Sequence, residues 1–462
     1  MYIRRIFLLV ELNFDKPVNK FIKTLKNIWS IEELRLKIIT TLVLILIYRL
    51  GAHITLPGID PNLLNTSSAQ SGPLGLIDAF AGGAFSQASI LALGIMPYIS
   101  ASIFMQLMTI LVPQMQKIQK EGDSGRKKIN QWTRYLTVAI TAVQAGAYVA
   151  YLRQVNGPAL IASYAPYFPF STTIILTAGT LFVMWLGEKI TDKGLGNGIS
   201  IIIMVGILAR LPQATIQEWV SKSERGGGGP LIFFLEIAVL IAIIMGLIVL
   251  VQGVRKIPVQ YAKQIVGNKQ FGGARQFLPL KVNGAGVMPI IFAQAIMFLP
   301  TLFSYTSFES GKGIARIFAD SKDVWHMVIY AVIVIGFTFL YTALIFNPKQ
   351  IADDLKRNNG FVPGVKPGQP TADYIGTIMD RITLPGAVLL AIVGILPGFA
   401  QRLHITQSFS TFFGGTSLLI MVGVVLDTLQ QIETQLLMRQ YDGLMKGGRI
   451  QGRQTTQTST TI

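Results

Sequence analysis

The chain has 462 residues, of which 51% are hydrophobic and only 14% are charged. Because soluble proteins carry about 25% charged residues, this composition excludes an ordinary soluble domain and indicates a polytopic membrane protein. The chain has no cysteine and its three histidines lack metal-ligand spacing, so we expect neither disulfides nor a metal site. The net charge of +17 fits a nucleic-acid partner or basic loops on the cytosolic side of a membrane, and we favour the basic loops.

The chain begins with a basic segment, residues 1–35, which we interpret as an N-terminal cytosolic arm on the membrane surface. Its apolar run IFLLV is shorter than the apolar core of about 7–15 residues in a signal peptide. We therefore do not expect a cleaved signal.

The stretch from residue 73 to 111 is long enough to cross a membrane, but Gly82-Gly83 interrupts it. Glycine loosens a helix by roughly 1 kcal/mol per residue relative to alanine. We predict a short helix before this pair and a second helix over about 87–111, kinked at Pro97. The short helix is expected to fold back into a shielded cavity, because broken backbone at membrane depth needs protein or water around it.

One face of the second helix changes from apolar to polar along its length. At helical spacing, this face carries Ile95, Ile99, Ser102 and Gln106. Lipid does not favour Ser and Gln, so the face is expected to contact a neighbouring helix or a water-filled lumen.

Ten apolar segments, some close to the roughly 20 residues that a bilayer requires and some shorter, are predicted to span the membrane. They lie at about 36–52, 87–111, 133–152, 171–187, 197–211, 231–252, 284–303, 324–346, 383–398 and 416–437. Most Lys and Arg residues fall on one side of these spans. They lie in the arm, in 113–134, 188–194, 253–281 and 347–382, and in a C-terminal tail, 438–462. This asymmetry predicts that both termini are cytosolic.

Two of the predicted cytosolic loops are long and rich in turn residues. In 253–281, β-like runs flank a Gly-Gly pair, which predicts an ordered hairpin. In 347–382, the segment VPGVKPGQP predicts a rigid protruding tip. Each loop is interpreted either as a docking surface or as a solvated basic loop.

A few polar and charged residues lie inside the predicted spans. Gln144 and Gln294 fit contacts between helices. Arg49 and Glu236 lie near the ends of spans and are expected to snorkel to the interface. Asp427 lies within the last span, where we interpret it as a structural partner or a transport residue.

The sequence contains no phosphate-binding loop, no GxSxG elbow and no HExxH helix. It therefore predicts a channel or carrier without a cofactor rather than an enzyme, with any energy supplied by a partner. An intramembrane protease would need a Ser/His or paired Asp arrangement within the spans, and the sequence has neither.

Eight long motifs occur between about residues 18 and 445. They are ALGIMPYISASI at 92–103, KEGDSGRKKINQWTRYLT at 120–137, WLGEKITDKGLGNGISIII at 185–203, IPVQYAKQIVG at 257–267, LPLKVNGAGVMPIIFA at 278–293, YTALIFNPKQIADDLK at 341–356, GFVPGVKPGQPT at 360–371 and FGGTSLLI at 413–420. In this order they resemble the SecY family of bacterial protein-conducting channels. Because family members often begin near the equivalent of Val18, we predict that residues 1–17 are a start-site artefact.

The resemblance implies an all-α polytopic membrane protein with ten transmembrane helices in two pseudo-symmetric inverted halves and a re-entrant plug helix. The first half is expected at 36–211 and the second at 231–437, with an external hinge loop at 212–230. The halves are expected to open like a clamshell around an hourglass pore.

The resemblance also implies roles for individual residues. The plug is expected at about 73–84, with Leu74, Leu76, Ile77, Phe80, Gly82 and Gly83. The pore ring is expected at Ile95, Ile99, Ile203, Ile291, Ile420 and Phe303. At Phe303 the family commonly has an aliphatic residue, so Leu302 is a neighbouring candidate. A collar of branched apolar side chains excludes water and ions yet flexes around an extended chain. A lateral gate is expected between the second and third spans and the seventh and eighth, with Ser100, Gln144 and Gln294 at the seam.

The implied partners are preprotein signal sequences, nascent chains and membrane lipid, with SecE and SecG as small subunits and SecDF and YidC as further partners. The SecA motor ATPase and the ribosome are expected to dock on the two long loops. The docking residues are Arg255, Lys256, Lys263 and Lys366, the last where many family members have Arg. The implied location is the bacterial cytoplasmic membrane. A ten-helix secondary transporter of a small solute is the alternative, and it would need ionisable residues converging at the membrane centre.

Overall fold

The computed structural model describes residues 29–64, 78–155, 157–161, 166–224, 229–261, 264–266, 269–271, 275–303 and 323–447. Most of the N-terminal arm and the end of the tail lie outside these ranges, as does the predicted start-site artefact at residues 1–17. In the predicted first half the helices are α1 (Glu32–Ala52), α2 (Met96–Leu111), α3 (Pro113–Lys120), α4 (Asp123–Val155), α5 (Phe168–Lys193) and α6 (Gly198–Ser223).

The helices of the predicted second half follow the same pattern of long apolar segments. They are α7 (Gly229–Gln252), α8 (Met288–Phe303), α9 (Val324–Ile345), α10 (Pro348–Arg357), α11 (Gln369–Arg402), α12 (Gln407–Ser410) and α13 (Gly415–Gly447). Short 3-10 helices lie at Pro61–Leu63, Gly157–Ala159 and Thr411–Phe413.

Each of the ten predicted spans contains a helix over most of its length. Within the described ranges, seven helices have the length and hydropathy to cross a bilayer, and the strongly bent pair of α2 and α3 makes an eighth when counted as one span. Helices α1 and α8, with 21 and 16 residues, occupy the other two predicted positions. The predicted class, a helical multi-pass membrane protein, is confirmed.

The predicted start of the second span, near residue 87, is wrong, because α2 begins at Met96. Residues before it form turns, with Ala88 and Gly94 at positive φ angles of 46° and 53°. The backbone there bonds to the α1–α2 connection, since the Ile90 N–H donates to the Ile54 carbonyl at 2.9 Å. Pro97 consequently lies in the first turn of α2, where its missing N–H costs nothing, and does not kink the helix.

The predicted hinge loop at 212–230 is wrong over its first part, because α6 continues through Pro212 to Ser223. The extension buries Ala214, Glu218 and Lys222, which are spaced four residues apart and share one helical face. That buried face explains why these residues continue the helix.

Both long loops that were predicted to be cytosolic contribute to one small sheet. Strand β1 (Val254–Tyr261) pairs antiparallel with β4 (Arg275–Lys281), which confirms the predicted hairpin, and also with β5 (Gly360–Phe361) from the second loop. The short strands β2 (Gln264–Val266) and β3 (Lys269–Phe271) pair with each other. The loop predicted at 347–382 is shorter than expected, because α10 and the start of α11 occupy much of it.

A separate apolar cluster holds this sheet against α10 and α11. Its buried members are Ile257, Val259, Leu280, Leu355, Val362, Ile375 and Met379. A larger cluster joins the two halves and includes Ile203 of α6 and Ile420 of α13. The first and second halves each also have a core of their own.

Candidate pore, plug and lateral gate

A cavity of about 1070 Å³ lies between the two halves and is lined by residues of α2, α4, α6, α8, α9, α11 and α13. Its volume is slightly above the roughly 300–1,000 Å³ typical of small-molecule sites. Four of the predicted ring residues line it: Ile99, Ile203, Ile291 and Ile420. These four come from four different helices, which is the arrangement that a collar requires.

The other two predicted ring positions are placed differently. Ile95 immediately precedes α2, is fully buried and packs in the apolar cluster that joins the halves. It lies within the wall rather than among the residues that line the cavity. Phe303 ends α8 and Leu302 precedes it, but the side chains of both lie outside the described part of the structure. Both remain predictions.

Part of the predicted plug is described and lies against α6. Leu74, Leu76 and Ile77 lie outside the described residues, whereas Phe80 is buried and lines the cavity. Asp78, two residues before Phe80, forms an ion pair with α6. The Oδ2 atom of Asp78, which is 0% exposed, lies 2.7 Å from Nη1 of Arg210 on α6. Sequence reasoning missed this pair, because Arg210 is far away in sequence.

The second carboxylate oxygen of Asp78 is satisfied by the turn that follows the plug segment. Its Oδ1 atom accepts a hydrogen bond from the Ser86 N–H at 2.9 Å. Helix α1 adds two contacts to the plug segment. Arg49 Nη1 donates to the Gly82 carbonyl at 3.1 Å, and the Tyr48 hydroxyl donates to the Ala81 carbonyl at 3.4 Å. Arg49 is half-buried, and its guanidinium binds a carbonyl of the plug segment, a contact that the expectation of snorkelling did not include.

The glycines of the plug segment allow its backbone to approach α6 closely. Gly82 has φ +66°, and a Cβ atom there would lie 2.9 Å from the Cα of Gly206. A Cβ atom at Gly206 would lie 2.8 Å from the Phe80 carbonyl oxygen. Real Cβ atoms do not come this close, so both positions require glycine for the observed packing. Gly83 also has positive φ, +89°.

The predicted gate residues Ser100, Gln144 and Gln294 all line the cavity. Ser100 donates to the carbonyl of Met96 in its own helix, at 3.2 Å. Gln294 accepts a hydrogen bond from Thr416 of α13, at 3.3 Å, which lies within the second half. These contacts do not join the two halves.

A different pair does connect the two sides of the predicted gate. The hydroxyl of Tyr341 on α9 donates to Oε1 of Gln106 on α2, at 2.8 Å. Gln106 lies on the polar stripe that the sequence indicated, but its partner could not be read from spacing. The ring of Phe292 lies 6.0 Å from that of Tyr341 at an angle of 47°, so the bond has an apolar neighbour.

Ionisable groups do not converge in the cavity as a solute transporter would need. Among the described lining residues, Asp, Glu, Lys, Arg and His are represented by Arg210, His326 and Asp427, and Arg210 is paired with Asp78. The described residues contain no group of three or more His, Asp or Glu side chains that could hold a metal ion. Glu236 does not snorkel as expected, because it is buried 2.8 Å from the Nζ of Lys222.

The predicted docking residues belong to the small sheet of β1, β4 and β5 and its neighbours. Arg255 and Lys256 are exposed on β1, and Lys366 is exposed in the turn after β5. The Thr371 hydroxyl donates to the carbonyl of Lys366 at 2.8 Å, which fixes that turn to the start of α11. Lys263 lies outside the described residues. The pairing of β1 with β5 brings the two loops into one unit.

Comparison with known proteins agrees with this architecture. Two solved channels share the fold at 17% and 18% identity: a protein-conducting channel with TM-score 0.60, and a SecY protein whose plug domain stabilises the closed state, with TM-score 0.57. Each match covers 90% of this chain and 95% of the other. Sec61 in the canine ribosome-channel complex, which shares 17% identity, has a TM-score of 0.54 and covers 90% of this chain and 95% of that one.

Several curated proteins share a higher sequence identity with this chain than these solved structures do. The protein translocase subunit SecY of Streptomyces coelicolor is 40% identical over 430 residues, which is 90% of this chain and 97% of the relative. The corresponding subunit of Mycobacterium bovis is 39% identical over 451 residues, which is 93% of this chain and 100% of the relative. A family model described as SecY matches residues 89–429. The chain belongs to the SecY family.

Proposed function

We propose that this chain is the central channel subunit of a protein translocase in the bacterial cytoplasmic membrane. It passes unfolded preproteins across the membrane and releases apolar segments sideways into lipid. The observation that carries the proposal is the cavity between the halves, with Ile99, Ile203, Ile291 and Ile420 on its wall and a plug segment beside it.

In the resting channel, the ring and the plug together form the seal. Branched apolar side chains offer no hydrogen bonds to water, so a narrow collar of them dewets and blocks ions. The same side chains do not bind the backbone of a passing chain. The ion pair of Asp78 with Arg210 supports a docked plug, because a displaced plug would separate two charges that are largely removed from water.

Lateral release depends on the seam between α2 and α9. The core of a signal sequence gains about 0.3–0.6 kcal/mol for each Leu, Ile, Phe or Val at the membrane centre. An interhelical hydrogen bond such as that of Gln106 with Tyr341 contributes about 0.6 kcal/mol. About ten apolar residues in a signal core therefore outweigh this bond by several kcal/mol.

The energy for translocation comes from a partner that docks on the cytosolic sheet. We assign this role to the SecA ATPase or the ribosome, with Arg255, Lys256, Lys263 and Lys366 as the contact residues. A ribosome-bound channel among the structural relatives supports this kind of partner. At Lys366 the contact retains a charge but lacks the bidentate geometry of arginine. SecE and SecG complete the membrane complex, SecDF and YidC are further partners, and both termini lie in the cytosol.

The test is reconstitution with SecE in a lipid bilayer. Ion conductance is compared between the wild type and a variant lacking residues 73–84, with an equally long deletion of 451–462 from the tail as the control. We expect the wild type and the tail deletion to be quiet and the plug deletion to conduct. Addition of SecA, ATP and a preprotein should produce translocation. If none of the three proteins conducts ions and no preprotein is translocated, the proposal is overturned.

A further inference from the structure

We propose that a second, smaller cavity beside the plug segment binds the phosphate group of an anionic ligand. This phosphate cavity has a volume of about 170 Å³ and shares only Arg210 and Gln213 with the larger cavity between the halves. Its walls come from the end of α1, from the plug segment with the turn after it, and from α6. The binding goes beyond the proposed function and is measured without translocation.

The phosphate cavity carries a surplus of positive charge. Arg49 of α1 and Arg210 of α6 line it, and none of the described residues that line it is acidic. Asp78 lies outside the lining and pairs with Arg210. Arg49 is half-buried, and its partner in the described part of the chain is the uncharged carbonyl of Gly82. Because a partly buried charge is costly without a counter-charge, an anion in the cavity would stabilise Arg49.

The side chains of this cavity offer several hydrogen-bond donors to an anion. A guanidinium has five N–H groups in a fixed fork. The contacts of Arg49 and Arg210 described above both use Nη1, so other N–H groups of each side chain are left for a ligand. Oε1 of Gln87 accepts a hydrogen bond from Nδ1 of His53 at 3.1 Å, which leaves the amide nitrogen of Gln87 as a further donor.

The arrangement of the two arginines favours phosphate over a carboxylate. They belong to different helices, so their guanidinium groups approach the cavity from separate elements. One guanidinium fork is enough to bind both oxygens of a carboxylate. A tetrahedral phosphate presents oxygens in several directions and can accept hydrogen bonds from two guanidinium groups at once.

The plug backbone leaves room for such a group. A single water needs about 10–15 Å³ of cavity volume, so 170 Å³ admits a group of several heavy atoms. A Cβ atom at Gly83 would have only Nε of Arg210 within reach, at 4.0 Å, so the space between this backbone and the guanidinium is open. The φ angle of +89° at Gly83 also favours glycine there.

A bound phosphate would connect three segments of the chain. Arg49 lies on α1, Arg210 lies on α6, and Gly82 and Gly83 of the plug segment line the cavity with them. A ligand that binds only one arrangement of a protein stabilises that arrangement by mass action. The phosphate would therefore hold the plug segment in the position described here, in addition to the ion pair of Asp78.

The phosphate group has two possible sources with the same chemistry in the cavity. One is inorganic phosphate from solution, and the other is the headgroup of a phospholipid. Leu50 and Ile54, each next to a residue that lines the cavity, are 61% and 55% exposed. Their apolar surface suits the acyl chains of a lipid whose headgroup enters the cavity.

Binding is measured on the purified complex in detergent. Isothermal titration calorimetry with inorganic phosphate, at constant ionic strength, tests the free anion. Native mass spectrometry after addition of phosphatidylglycerol or diacylglycerol tests the lipid, because diacylglycerol carries the same chains without a phosphate.

Two variants and a control locate the binding. Arg49→Gln removes one guanidinium but keeps a donor for the Gly82 carbonyl. Gln213→Glu, at an exposed position of the cavity wall, adds a negative charge and leaves both arginines in place. Arg402→Gln, at an exposed position at the end of α11, removes one positive charge elsewhere and is the matched control.

We expect the wild type and R402Q to bind one phosphate group per chain, and R49Q and Q213E to bind it at least about tenfold more weakly, because a hydrogen bond to a charged group is lost or opposed. Binding of inorganic phosphate with this pattern would identify the free anion. Retention of phosphatidylglycerol but not diacylglycerol, with this pattern and without inorganic phosphate binding, would identify the headgroup.

The proposal is overturned if neither probe binds, or if the wild type and both cavity variants bind equally well. Q213E keeps this test decisive if R49Q does not fold, because the substitution is exposed and removes no described contact. A complex that binds phosphate as expected but does not translocate a preprotein would contradict the proposed function and not the phosphate site.

Discussion

Neutralising Asp78 should open the resting channel. In Asp78→Asn the amide keeps the shape of the side chain but loses the ion pair at 2.7 Å. Arg210 has 18% of its side chain exposed in the structure. Breaking a fully buried pair costs about 3–5 kcal/mol. Because Arg210 retains some water, we use the about 1.5–3 kcal/mol of a hydrogen bond to a charged group. Each 1.4 kcal/mol is a factor of ten, so the displaced plug should become about 10–150 times more populated.

The assay is ion conductance of the reconstituted complex without a preprotein, which should rise at least about tenfold in D78N. Asp353→Asn, at an exposed position on α10, is the matched control and should stay quiet. Combining D78N with Arg210→Met removes both charges, and this double variant should conduct less than D78N alone, because no unpaired charge remains. Wild-type conductance in D78N, or strictly additive effects in the double variant, would show that the pair does not hold the plug.

Three other substitutions test neighbouring parts of the molecule. Gly206→Ala places a methyl group 2.8 Å from a plug carbonyl oxygen, so it should also raise resting conductance, and a quiet channel would contradict the close packing. Tyr341→Phe removes the bond to Gln106 and should let signal cores with about one or two fewer Leu residues be released, as measured by membrane integration. Arg255→Glu with Lys256→Glu should reduce SecA-dependent translocation and weaken SecA binding most at low salt; unchanged binding would exclude this surface.

The sequence predicted the helices well where the apolar runs are continuous. Helix α9 (Val324–Ile345) falls within one residue of its predicted span, because a long apolar run with no internal glycine pair or proline has few alternatives in a membrane. The hairpin of β1 and β4 was also predictable from its turn residues. The start of α2 was not, because the turns before Met96 are as apolar as a helix and depend on backbone contacts with residues near Ile54.

The contacts of the charged residues were also not predictable from the sequence. Arg49 and Glu236 lie near the ends of predicted spans, and their positions alone favoured snorkelling. Their partners, the Gly82 carbonyl and Lys222, come from other segments that meet these residues only in the folded chain. Sequence patterns predict which residues share a helical face, but not which face of another element lies opposite.

The small sheet of β1, β4 and β5 has a mechanical consequence. Strands β1 and β4 connect α7 to α8, and β5 lies between α9 and α11, so every strand of the sheet comes from the second half. A partner that pulls or pushes on this sheet applies its force to that half alone. Among the described residues the first half contributes no strand to this sheet, so the load becomes a torque between the two halves and changes the angle at which they meet.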